Sequence, residues 1–226
     1  MIEKHISIDT DEFGKTLKQS LLNLPETETF KSIAEIGDIK SLSPKLVHAT
    51  VVAVFVDKTN LRSEAEFSIL MQALADVFSE NTRCKDIQTL GCRVVGIFDT
   101  PYKQDVDSAL ESVGKINSLF NLVNKLRGQR NEHNINKGIG MAYGQLHLTA
   151  CPLVDEIVIN WSGEPLETSL KYAEDAMSVS TRVYVAYSIY NNLKEEYQKL
   201  FNEGSEGKYV SNPINIAFDH WIESNI

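Results

Sequence analysis

The chain has 226 residues, 42% of them hydrophobic, and a formal net charge of -9, so it is long enough to bury a core and too acidic to favour non-specific binding to nucleic acid or to acidic lipid, though a local basic pocket for a nucleotide stays open. Its three cysteines, Cys84, Cys92 and Cys151, are odd in number and lack CxxC spacing, which excludes a disulfide framework or a zinc site and reads as small buried apolar residues. No signal pattern opens the chain and no run approaches the ~18 apolar residues of a membrane span, so the expected location is cytoplasmic, with no membrane partner.

Residues 9–24 read as an amphipathic helix, with Phe13, Leu17, Leu21 and Leu22 near helical spacing. Residues 25–46 read as irregular, with Pro25, Gly37 and Pro44, so 1–45 is taken as a helical extension and 46–226 as the main domain. Residues 48–57 form a valine-rich apolar run, the pattern of a buried central strand, and end in Asp57. Ser63-Glu64-Ala65-Glu66 resembles a capping box that opens a helix carried on by Phe67, Leu70, Met71, Leu74, Val77 and Phe78. Ile87 to Leu90 and Val94 to Phe98 read as two strands joined at Gly91-Cys92.

A long helix is expected next, with Val106, Leu110, Val113, Ile116, Leu119, Phe120, Val123 and Leu126 as its apolar stripe. A polar loop follows from Arg127 to Asn136. Strands are expected over Lys137 to Ala150, Glu156 to Trp161 and Arg182 to Ala186, with a helix over Leu166 to Met177. Tyr190 to Phe201 reads as an amphipathic helix, and Tyr209 to Ile216 as a last extended segment before Phe218-Asp-His-Trp221. The sum is βαββαβ with a further βαβ: an α+β, ferredoxin-like or palm-type fold with a mainly antiparallel sheet covered by helices.

A palm of this kind supports two-metal phosphoryl transfer when a strand-end acid meets a second acid on the neighbouring hairpin. Asp57 fits the first position. Lys58, Thr59, Asn60 and Arg62 would present polar groups and a helix N-terminus to phosphates. The hairpin offers Cys92, a soft thiol poorly matched to Mg²⁺. Asp86, ~20 Å of strand away, and Asp99, on the opposite face, cannot replace it. Glu64 and Glu66 are nearer, though Glu66 reads first as the acid of the capping box. Tyr143, Trp161 and Trp221 read as core or interface aromatics, His147 as a partly buried structural histidine, and Lys85, Arg93 and Lys137 as solvated surface.

Four stretches carry a resemblance to class III adenylyl/guanylyl cyclase domains, closest in style to bacterial antiphage pyrimidine cyclases of the Pycsar type. They are Val54-Phe55-Val56-Asp57, Gly91 to Asp105, Gly138-Ile-Gly-Met-Ala-Tyr-Gly144 and Ile159-Asn-Trp-Ser-Gly-Glu164. The resemblance implies homodimers with sites shared between subunits, Mg²⁺ or Mn²⁺ held at positions 57 and 92, and nucleotide contacts from Lys58, Thr59, Asn60 and Glu164. It also implies transition-state groups at 167 and 171. The usual asparagine and arginine there are Glu167 and Lys171: an acid would repel a triphosphate, and lysine lacks the arginine fork. As they stand, the two read as an i,i+4 surface ion pair.

Two functions follow as expectations. One is a cyclase-fold protein with impaired or lost catalysis that regulates or senses nucleotide in cUMP- or cCMP-type antiphage signalling, as a homodimer or with an intact cyclase homologue. The other is an active lyase that converts UTP or CTP to a 3′,5′-cyclic monophosphate and pyrophosphate. A diguanylate-cyclase or polymerase relative is disfavoured by the absence of a Gly-Gly-acidic-acidic hairpin.

Overall fold

The valine-rich run forms the central strand, and the other elements are placed by how they cover it. A computed structural model describes residues 10–36, 43–152, 157–178 and 182–226. Helix α1 (Thr10–Leu22) is followed by β1 (Glu28–Phe30), a 3-10 turn at Ile33–Glu35, β2 (Lys45–Val56) and α2 (Glu64–Ser79). Next come β3 (Cys84–Leu90), β4 (Arg93–Asp99), α3 (Asp105–Gly128), β5 (Lys137–Pro152), β6 (Ile157–Ser162) and α4 (Glu164–Ser178). Strand β7 (Val183–Ala186), the short α5 (Tyr187–Tyr190) and α6 (Glu195–Gln198), β8 (Asn202–Glu203), β9 (Lys208–Ser211) and α7 (Ile216–Asn225) complete the chain.

The sheet runs β3-β4-β2-β5-β7-β9-β8, with β1 added to β2 and β6 to β5. All ladders are antiparallel except β1/β2 and β5/β7. This is the expected α+β, palm-type sheet. Strand β2 is buried on both faces, which is why its sequence is apolar without alternation. Val52, Val54 and Val56 pack with α2 and α3 through Leu74, Phe78, Ile116 and Phe120. Val47, Ala49, Val51 and Ala53 face Leu146, Trp161 and Ala173 of α4. Gly138 and Gly140 set how closely α4 approaches: a Cβ at either would run into the carbonyl oxygens of Ala173 and Ser169.

Several boundaries differ from the sequence reading, each for a local reason. Residues 25–46 are not wholly irregular: β1 and the 3-10 turn lie within them, and β2 begins at Lys45. Periodicity missed that start because Lys45 is charged, yet its ammonium is buried against Glu28 at 2.6 Å. Strand β3 begins at Cys84, before a bulge between Cys84 and Asp86. Arg127 closes α3 rather than opening a loop.

The expected helix over Tyr190 to Phe201 is two separate turns. Asn192 donates its side-chain amide to the Ser188 carbonyl, and Lys194 is extended, so Leu193 is buried between the turns. After β9 the tail turns helical, because Asn215 caps α7 by accepting the Phe218 N–H at 2.9 Å. Asp9 and Glu156, at expected element ends, lie outside the described residues.

The buried-cysteine reading fails: Cys84 and Cys92 are half-buried and Cys151 is exposed, all three free. Burial nevertheless pushes the Cys84 thiol up to about 12. His147 is exposed, as is Trp221, whereas Trp161 is 4% exposed. Lys137, read as solvated, is 5% exposed. Leu17, Leu21 and Leu22 of α1 are exposed, so its apolar stripe is uncovered in the single chain.

Candidate functional site

The hairpin that carries Cys92 is bonded to the end of β2, from which Asp57 leads. Phe55 pairs with Arg93 across β2 and β4, and the Val56 N–H donates to the Cys92 carbonyl at 2.9 Å. Asp57 leaves the sheet at that point, its own N–H donating to the Asn136 carbonyl at 3.0 Å. The hairpin residue 92 thus lies against the end of β2, one residue before Asp57.

The loop after Asp57 is bonded to itself. Thr59 donates both its hydroxyl, at 2.6 Å, and its N–H, at 2.9 Å, to Asp57 Oδ1. Asn136 reaches Oδ2 at 3.5 Å. The Thr59 hydroxyl, then its N–H, hold the Asp57 carboxyl below the usual carboxylate range, so it stays ionised at neutral pH. Lys58 pairs with Glu64 at 3.2 Å and lies 4.0 Å over the Phe67 ring. Asn60 donates its amide to the Asn134 carbonyl at 2.8 Å. The polar groups expected to meet phosphates are thus largely engaged within the loop.

Arg127 is the brace of this arrangement and was missed in the sequence, where its polar surroundings read as a loop. It is 4% exposed and donates to the Asn60 carbonyl at 2.6 Å and the His133 carbonyl at 2.7 Å. It also pairs with Glu66 at 2.6 Å. Burial works against ionisation of Glu66, but the Arg62 N–H and guanidinium and the Arg127 cation together hold its pKa down. Glu66 keeps a capping position, with its N–H donating to Ser63 Oγ at 3.2 Å, although its carboxylate accepts the Arg62 N–H rather than that of Ser63. Glu64 and Glu66 are therefore bound to cations of their own.

The other acids lie elsewhere. Asp86 accepts the Trp161 indole N–H at 2.7 Å. Asp99 is buried and accepts from Ser32 Oγ at 2.7 Å and the Ile33 N–H at 2.9 Å. Among the described residues no group of three His, Cys, Asp or Glu side chains could hold a metal ion. A soft thiol and one carboxylate, one oxygen of which already accepts two hydrogen bonds, with no second acid beside it among the described residues, do not fit a pair of hard divalent cations.

Glu164 opens α4 at the far end of the sheet from this loop, and the helix then runs back toward it: Ser169 packs over Gly140, Ala173 over Gly138, and Glu174 pairs with Arg93, next to Cys92, at 3.4 Å. Pro165 packs at Gly144, which pairs with Ala49, eight residues before Asp57, or about 25 Å of strand. The expected Glu167–Lys171 ion pair is not formed: both side chains are exposed, where ordering two long chains offsets the weak attraction. Glu164 is thus remote from Asp57, whereas Lys171 lies between the α4 turns that pack over Gly140 and Gly138 of β5. Among the described residues no helix is long and apolar enough to cross a membrane.

No family model matches the chain. A uridylate cyclase from Treponema porcinum is 22% identical over 232 residues, covering 94% of this chain and 81% of that protein. A class III adenylyl cyclase-like ATP-binding protein from Pseudomonas aeruginosa superposes with a TM-score of 0.63 and 14% identity over 94% of this chain, which spans 48% of that one. A bacterial light-regulated adenylyl cyclase gives 0.60 at 12% identity over 99% of this chain and 70% of its own. An adenylyl cyclase from P. aeruginosa gives 0.54 at 12% identity over 75% and 94%. The chain therefore has the class III nucleotidyl cyclase fold and is related in sequence to a uridylate cyclase.

Proposed function

We propose that this chain is a regulatory or nucleotide-sensing cyclase-fold protein of pyrimidine cyclic-nucleotide signalling, impaired in or lacking metal-dependent cyclisation of its own. The observation that carries the reading is that the hairpin residue bonded to the end of β2, one residue before Asp57, is Cys92 where a second carboxylate is needed, with Asp57 Oδ1 already taken by Thr59. Glu167 and Lys171 add to it, since neither reproduces the neutral donor and the planar cation of the family. The family resemblance supports a site completed by a second chain, either another copy or an intact cyclase homologue. The relation to a uridylate cyclase favours a pyrimidine nucleotide.

A second reading, an active cyclase acting on UTP or CTP, draws on the same relation and on the ionised Asp57. Mass spectrometry of products from the purified chain with all four ribonucleoside triphosphates and Mn²⁺ separates the two. No cyclic mononucleotide, together with measurable binding of a pyrimidine triphosphate, is expected. A cyclic product from the unmodified chain would overturn the first reading and identify the base.

A further inference from the structure

A cavity of about 770 Å³ lies at the other end of the sheet from Asp57, and nothing above uses it. It arises from a gap in strand pairing. The outer edge of β5 pairs with β7 as far as Met141 and with β6 only from His147, so residues 142–146 have no strand on that side. The Tyr143 N–H faces the gap, reaching Ser188 Oγ at 3.4 Å. By strand alternation the backbone amide of Gln145 faces the same way.

The chemistry of the walls narrows what fits. Tyr143 and His48 lie together, ring centroids 6.1 Å apart, on the α2/α3 side of the sheet, as alternation from Ile139 and Val52 requires. His147 and Tyr187 add further ring surface, and Gln145, Asn191 and Asn192 add amides. The Tyr143 hydroxyl has no hydrogen-bond partner among the described residues, and burial raises its pKa, so it is a neutral donor at physiological pH. The lining holds no lysine or arginine, and its acid is Glu164. Such a site offers a phosphate no lysine or arginine and sets one carboxylate in its wall, and it offers rings for stacking beside donors and acceptors. The volume falls within the ~300–1,000 Å³ of small-molecule pockets.

We propose that this cavity binds an uncharged, planar, hydrogen-bonding heterocycle, a nucleobase or a nucleoside without phosphates. The site is independent of the loop after Asp57, His48 lying nine residues from it or about 30 Å of strand. Ring stacking holds the plane of the ligand, while Gln145, Asn191 and the Tyr143 hydroxyl read its polar edge.

The test is isothermal titration of the full chain with each of the four ribonucleosides, their free bases, their triphosphates and glucose. The Tyr143→Phe/Gln145→Ala variant runs in parallel, with its fold checked by circular dichroism. One nucleoside or base should bind, and the variant should weaken it by about tenfold or more. Binding of the base as tightly as the nucleoside would place the ribose outside the contacts. Tighter binding of a triphosphate through the same two residues, binding of glucose instead, no binding of any nucleoside or base, or binding unchanged by a folded variant would each overturn the proposal. A variant that does not fold is replaced by Asn191→Ala, read against the same outcomes.

Discussion

The Val56 N–H and the Cys92 carbonyl are joined by a hydrogen bond of 2.9 Å, which fixes residue 92 beside Asp57. Backbone bonding of this kind does not depend on the side chain at 92. A carboxylate placed there would therefore stand at the end of β2, one residue before Asp57.

Cys92→Asp should for that reason create cation affinity that the native chain lacks. Mn²⁺ binding followed by titration should strengthen by about tenfold or more, and Mn²⁺ should raise the thermal midpoint of the variant alone. An equal shift in the native protein would show that Cys92 already serves as a ligand.

The buried Arg127 bonds to carbonyls of two segments and to Glu66. Arg127→Met should leave those carbonyls without their donor and Glu66 with Arg62 as its remaining cation, and cost about 3 kcal/mol in urea unfolding. Hydrogen exchange should rise most over residues 57–62 and 132–136. Arg127→Met/Glu66→Leu should cost less than the sum of the single changes, since the uncompensated charge is gone.

Lys137 is buried, which lowers its pKa to about 8 from the usual 10.5. Between about 8 and 10.5 the unfolded chain holds this proton and the folded chain does not. Stability from this group therefore rises with pH across that window and is lowest below it. Lys137→Met should raise stability at pH 7, by at most on the order of 3 kcal/mol. The difference between native and variant unfolding curves should shrink as pH rises from 8 to 10.5; a constant difference would refute the assignment.

Gly138→Ala should push α4 off β5, because the added methyl meets backbone atoms that cannot rotate away. A loss of about 3 kcal/mol or more is expected in thermal or denaturant unfolding. Gly14→Ala, on α1 with open space around it, should be neutral or slightly stabilising and serves as the comparison.

Much of the fold was legible because it rests on local pattern. The unbroken valine run announced a strand buried on both faces, and Ser63 announced the start of α2. Failures fell where a long-range partner changed the meaning of a residue. Lys45 could begin a strand only because Glu28 neutralises it, and Asn192 divided a helical pattern by bonding to Ser188.

At the candidate site the sequence determined which residue types are present: one strand-end carboxylate, a thiol opposite it, and an acid and a lysine on α4. Only the tertiary structure decided their availability. Thr59 closes on Asp57, and Arg127 claims Glu66 across 61 residues. Sequence spacing reports which side chains share a face; whether a charge is free or already neutralised depends on groups that folding brings in from elsewhere.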